Sequence, residues 1–331
     1  MKKSKFTFIG LIATAAVCFI FSSCGPKDSS ASKFKLKFGH LASESHIWHK
    51  TAVKFKELVE ERSKGKIEVK VYPNSQLGKE MELIDSIKLG TADITISGES
   101  LQNWAPKAAL LAVPYAFTSS EEVRAAANGP GGDEICAEIT EKTGLVPIAW
   151  FERGPRHLTS NRPIKTPADL KGLKIRVPNV PLFVKVWQEL GAKPTPMAFS
   201  EVFTSLQQST IEAQENPLSL IDSASFSEVQ KNVNLTAHVR SWIYVVIGQK
   251  KLNKMPKDLQ DVVLQAAKDA QAYESELFVK EEAELRATLE KKGMVFIDSD
   301  QSAFAEKARA AVKKFLTKEQ GLLLDRLKSK K

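Results

Sequence analysis

From Lys257 to Lys292 the chain carries neither glycine nor proline, and Leu259, Val262, Val263, Ala266, Ala270 and Tyr273 recur along it at helical spacing. That pattern predicts one uninterrupted helix of roughly 50 Å, at 1.5 Å per residue, ended by Gly293. A rod of that length outreaches a single small domain, so it is expected to brace two. With 331 residues, 43% of them hydrophobic and 26% charged, the chain has the material for two globular lobes.

The first residues stand apart from that body. Lys2, Lys3 and Lys5 precede an apolar run from Phe6 to Phe21, which has the charge and length of a secretory signal and is too short to span a bilayer. Export to the periplasm is therefore expected. Phe21-Ser22-Ser23-Cys24 resembles a bacterial lipobox, which would make Cys24 a lipidated first residue and anchor the protein to a membrane. Cleavage nearby with no lipid is the alternative. A Ser/Lys-rich tether follows from Gly25 to Lys33, and Cys136 is then the cysteine left in the folded part, so no internal disulfide can form. Cys136 is expected to be a small buried hydrophobe. The formal charge of +9 falls to about +6 without the three signal lysines, a mild field that favours anionic solutes. No dense Lys/Arg run with interleaved aromatics points to nucleic acid.

Phe34, Leu36 and Phe38 alternate with lysines as in a strand with one buried face. A helix capped by Ser45 should follow, with Trp48, Ala52, Phe55 and Val59 inward and Gly65 at its end. A strand at Ile67 to Val71, a helix from Glu80 to Leu89 and a strand at Ile94 to Ser97 complete a βαβαβ unit, which crosses over right-handed. Ligand contacts belong at its carboxyl edge, where His40 and Glu80 are placed. Ser119 and Glu122 form a capping box for a helix that Gly129-Pro130-Gly131-Gly132 breaks; these glycines lack the preceding strand and following lysine of a phosphate loop. Leu145 to Phe151 reads as a buried strand leading to a crossing between lobes at Arg153 to Arg156, and Trp242 to Gly248 as the returning strand after a crossing near Arg240. The expected lobes are 34–153 with 242–281, and 154–241 with 282–331, moving by opening and closing of a cleft.

The densest chemistry lies between Gly172 and Pro217. Arg176 ends a short strand from Leu173 to Val177, so its guanidinium should project from a strand's carboxyl end, and its fork of donors matches a carboxylate. Pairing with a surface acid is the plainer reading. Downstream, Ser200 should cap a helix, and a strand should end at Gln214.

Four stretches carry a resemblance: TSN at Thr159 to Asn161, DLKGLKIRVP from Asp169 to Pro178, GAKPTPMAFSEVF from Gly191 to Phe203, and QENP from Gln214 to Pro217. On these, and more thinly from about Phe38 to about Gly293, the chain resembles the substrate-binding subunit of tripartite ATP-independent periplasmic (TRAP) transporters. The resemblance implies a periplasmic-binding-protein-like α/β fold, two lobes around a hinge and ligand cleft. It also implies an organic acid as ligand and an ion-coupled membrane permease as partner. It gives Arg176 the ligand's carboxylate, matches Arg156 and Asn216 to the family's arginine before TSN and asparagine of QENP, and matches Phe199 to the aromatic that packs on the ligand body. With Glu80 and His40 opposite as hydroxyl acceptors, a sugar acid is expected, a hexuronate or related aldonate ahead of a C4 dicarboxylate or sialic acid.

No G-x-S-x-G elbow, H-E-x-x-H helix or dinucleotide fingerprint is present, so a receptor without cofactor is expected rather than an enzyme. His40, His46 and His49 lie close enough to suggest a metal, which would make the chain a metal-binding lipoprotein. No acid clusters with them, and His46 and His49 are read as exposed residues of an amphipathic helix, His40 being the exception placed at the cleft by the first strand. A chemosensory receptor would share the clamp and differ in its partner.

Overall fold

The computed structural model describes residues 33–329; the signal segment, Cys24 and the tether up to Ser32 lie outside them. In chain order the first unit is β1 (Phe34–Gly39), α1 (Ile47–Arg62), β2 (Ile67–Tyr72), α2 (Glu80–Leu89) and β3 (Ile94–Ser97), with β1 parallel to both β2 and β3. α1 is capped by His46, whose ring nitrogen Nδ1 accepts from the Trp48 N–H at 3.1 Å. Ser45, expected as the cap, instead bonds Ser43. The helix stops at Arg62, and Gly65 takes a positive φ in the turn beyond it.

α3 (Ser120–Asn128) begins on a Ser119 cap, and α4 (Pro130–Thr143) follows at once. The glycine run thus breaks one helix, as expected, but opens another. The chain turns so tightly that a Cβ on Gly132 would lie 2.4 Å from the Ala127 carbonyl oxygen. That approach is what the glycine permits.

β4 (Leu145–Ser160) does not end where the chain was expected to cross between lobes. It continues as one strand of 16 residues, antiparallel to β8 (Asn232–Gly248), which likewise begins ten residues before Trp242. Register shifts between Arg153 and Arg156 and between Arg156 and Leu158 let Gly154 and Pro155 sit in the ribbon without breaking it. β5 (Lys174–Val177), α5 (Pro181–Leu190), β6 (Lys193–Pro196), α6 (Val202–Gln207), β7 (Ala213–Pro217) and α7 (Leu218–Ser223) lie between these two strands in the chain. α6 follows a 3₁₀ turn at Phe199–Glu201 and has no side-chain cap, so Ser200 does not fill that role. β7 runs on past Gln214 to Pro217.

The sheet order is β2-β1-β3-β8-β4-β7-β5-β6. The β4–β8 ribbon is shared: β3 pairs with Tyr244 to Ile247 of β8, and β7 with Arg156 to Ser160 of β4. Each half of the ribbon thus belongs to a different set of parallel strands. After α8 (Gln249–Asn253), α9 (Lys257–Lys291) is the expected long helix, with 35 residues. Its first half buries Leu259, Val263, Ala266 and Ala270 in a cluster with Phe38, Trp48 and Phe55. Its far end buries Leu285 and Leu289 with Val202, Phe226 and Val233. β9 (Val295–Ile297) pairs with Asn232 to Asn234, and α10 (Gln301–Phe315) and α11 (Lys318–Lys328) complete the fold. Cys136 is half-buried rather than fully enclosed.

The α3–α4 junction generates a paired prediction. Gly132→Ala should lower thermal stability by about 1 to 3 kcal/mol, the usual cost of forcing atoms into a filled space. Gly321→Ala, inside α11 with open space around its Cβ, should be neutral or stabilise by up to about 1 kcal/mol. Melting curves followed by circular dichroism read both.

Candidate functional site

The carboxyl ends of β3, β5, β6 and β7 converge at one cavity, as open α/β sheets dictate. Glu80 reaches it from the first turn of α2, Arg176 from β5, Phe199 from the turn after β6, Asn216 from β7 and Arg156 from β4. Five of the six residues expected at the site are therefore brought together. The cavity opens outward between Lys79, Asn179 and Glu201 into a space of about 240 Å³.

His40 is not among the lining residues; its neighbour Leu41 is. The strand's alternation explains the difference, because His40 continues the face of Phe38, the two rings 6.3 Å apart, and so turns toward α1. There its Nε2 lies 3.2 Å from His49 Nδ1, and burial, with repulsion from His49, pushes its pKa down to about 3. His46 is buried as well, against Ser219 and Trp48, so these are not exposed histidines. Among the described residues no three His, Cys, Asp or Glu side chains could jointly hold a metal.

Three guanidinium groups line the cavity, and they differ in what they already hold. Arg156 forks Glu215, with Nε and Nη2 at 2.5 and 2.7 Å from the two carboxylate oxygens. Burial works against that carboxylate, but Arg156 and the His238 ring at 2.8 Å outweigh it and hold Glu215 down to about 2. Arg153 forks Glu99 at 2.6 and 3.3 Å, braced by the Ser241 hydroxyl. Neither glutamate nor the role of Arg153 was legible beforehand. Glu215 lies within QENP, where alternation along a strand would have signalled that it faces away from Asn216.

Arg176 is the exception. It is 3% exposed, donates through Nε and Nη2 to the Met197 carbonyl at 3.0 and 2.7 Å, and has no ion pair among the described residues. Burial lowers its pKa to about 10, and Arg156 adds repulsion. Its guanidinium carbon stands 5.9 Å from the Phe199 ring centroid. Opposite it, Glu80 accepts a 2.7 Å hydrogen bond from Ser97, and burial, reinforced by Glu99, raises its pKa. Asn216 donates to Gln214 at 2.6 Å, and Gln214 to Thr159 at 3.0 Å, so the TSN and QENP segments form one buried hydrogen-bonded line under the cavity floor.

The chain matches the family described as bacterial extracellular solute-binding protein, family 7, over residues 38–319. It is 55% identical over 303 residues to a solute-binding protein of Roseobacter denitrificans, covering 92% of each chain. The crystal structure of that TRAP periplasmic solute-binding protein holds L-galactonate and superposes with a TM-score of 0.89 at 54% identity, covering 91% of this chain and 100% of the other. The 2,3-diketo-L-gulonate-binding periplasmic protein of Escherichia coli is 35% identical over 314 residues, 94% of this chain and 95% of its own length. A TRAP periplasmic solute-binding protein of Xanthobacter autotrophicus with bound β-D-galacturonate has a TM-score of 0.85 at 30% identity, covering 89% of this chain and 100% of the other. Among the described residues no helix is long and apolar enough to cross a membrane. With its sheet order, its cleft and these likenesses in agreement, the chain belongs to the family 7 bacterial extracellular solute-binding proteins, the solute receptors of TRAP transporters.

Proposed function

We propose that the protein binds a sugar acid, a hexuronate or aldonate of the galacturonate or galactonate type, by pairing its carboxylate with Arg176. The observation that carries this reading is a buried guanidinium without a counter-ion, beside neighbours that have theirs. An unpaired buried charge costs several kcal/mol, and a ligand carboxylate offsets that cost where a carbonyl alone cannot. The acids bound by the Roseobacter and Xanthobacter relatives agree with this chemistry.

The remaining contacts suit a polyol. Phe199 offers a flat apolar face to the carbon skeleton, and Glu80, Glu99 and Asn216 supply acceptors and a donor for hydroxyls. His40 drops out of the list of contacts, and Arg156, committed to Glu215, acts by shaping the floor rather than by gripping the acid. Residues 34–153 with 242–281 would form one lobe and 154–241 with 282–331 the other, so that Glu80 and Arg176 approach the ligand from opposite sides. Contacts with both lobes are what allow a ligand to stabilise the closed form. No chemistry on the ligand is part of this reading: the protein carries it, periplasmic and held to the membrane if Cys24 is lipidated, to the permease subunits.

Calorimetry with D-galacturonate and L-galactonate tests the proposal. Arg176→Ala should weaken binding by roughly 3 to 5 kcal/mol, about two to three and a half orders of magnitude, because the ligand's carboxylate is left buried and unpaired. Unchanged affinity in that variant would refute the assignment. The two arginines should also separate in the ligand-free protein. Arg156→Gln strands the buried Glu215 charge and should cost roughly 3 to 5 kcal/mol of stability. Arg176→Gln removes a charge that has no partner, so its melting temperature should match or exceed that of the wild type.

A further inference from the structure

The side of the cavity facing Arg176 carries two glutamates in different settings. Glu80 is hydrogen-bonded by a neutral hydroxyl, whereas Glu99, on the turn after β3, is gripped by a guanidinium. Arg153 and Glu99 are both buried, with side chains 5% and 7% exposed, and both line the cavity. Arg153 directs Nη1 and Nη2 at the two oxygens of Glu99, and Nε and Nη2 at Ser241, which stands opposite it across the β4–β8 ladder. Its fork is spent, so it has none to offer a ligand carboxylate. What it controls is Glu99.

We infer that Arg153 is a positioning residue for ligand recognition, holding Glu99 as an oriented carboxylate that accepts hydroxyl protons from a polyhydroxylated acid. This inference rests on reading the cavity as a sugar-acid site. A carboxylate accepts through both oxygens, while a protonated carboxyl surrenders one of them to its own proton. Burial by itself would favour the protonated form. The charged groups facing Glu99 are Arg153 and Arg156 from β4, Glu80 from α2 and Arg176 from β5. Arg156 stands off at 3.8 Å and is committed to Glu215, and Glu80 opposes ionisation, which leaves Arg153 as the close partner. Against burial, Arg153 and then Arg156 bring the Glu99 pKa below its ordinary value.

The sign follows. With Arg153 removed, the Glu99 pKa rises, and Glu99 takes up a proton as pH falls through the new value; above that value it remains a carboxylate.

The test measures affinity by calorimetry for whichever of D-galacturonate and L-galactonate the wild type binds, from about pH 8 down to about pH 5, a range that brackets a raised carboxyl pKa. The proteins are wild type, Arg153→Gln, Arg153→Lys, Glu99→Gln and the double variant Arg153→Gln/Glu99→Gln. The ratio of Kd in Arg153→Gln to Kd in wild type should grow by about tenfold or more as pH falls, the weight of one charged hydrogen bond. Arg153→Lys, which keeps the charge without the fork, should restore most of the wild-type profile. In the Glu99→Gln background the Arg153 substitution should add no pH dependence, because the titrating group is gone. The double variant leaves neither ion of the buried pair stranded, so its comparison with wild type supplies the measurement if Arg153→Gln alone does not fold. A ratio that is flat with pH, or a pH dependence that survives Glu99→Gln, overturns the inference. Failure of the wild type to bind either acid instead overturns the sugar-acid reading beneath it.

Discussion

A guanidinium taken out of water without an anion beside it is among the least favourable arrangements a fold can hold. Arg176 is in that position, eased by the Met197 carbonyl and by the more distant Glu215, Glu80 and Glu99. Its two neighbours show that the chain can pair such groups when it needs to. Arg153 has Glu99, and Arg156 has Glu215 with His238 behind it. Among the described cavity side chains Arg176 is the guanidinium without an ion pair, while Glu80 is held by a neutral hydroxyl, and the free fork has the sign and shape to take a carboxylate.

The rest of the architecture holds that guanidinium in place. Parallel strands on both sides of the β4–β8 ribbon end at the cavity, so side chains far apart in sequence arrive at one edge. The ribbon is continuous but irregular between Arg153 and Leu158, which accommodates Gly154 and Pro155 within the antiparallel pair. α9 packs on both halves from one side. Across the mouth, Lys79 meets Glu201 at 2.7 Å and Asn103 donates to the Asn179 carbonyl at 2.8 Å. Exposed contacts of this kind contribute little stability.

Much of this was legible before any coordinates. The βαβαβ unit, the position of Arg176 at a strand end and the length of α9 follow from alternation, caps and the spacing of apolar residues. The misreadings share a cause, which is that a local signal has more than one tertiary solution. The strand read at Leu145 to Phe151 runs on to Ser160, because a bulged antiparallel pair absorbs Gly154 and Pro155. Gly129 to Gly132 do break a helix, as expected, but glycine also permits the next one to begin within the same turn. His40 was assigned to the cleft because it follows a strand, whereas the strand's own alternation continued one residue further and turned it inward.

Sequence alone therefore determined the fold class, the bracing helix, the family and the place of Arg176 at a strand end, because each is written in short-range patterns of polarity and residue type. Which arginine was left without a partner could be decided only in three dimensions. Arg156 and Glu215 are 59 positions apart, and Arg153 and Glu99 54. Charge pairing depends on distance in space, and no periodicity along a chain reports it.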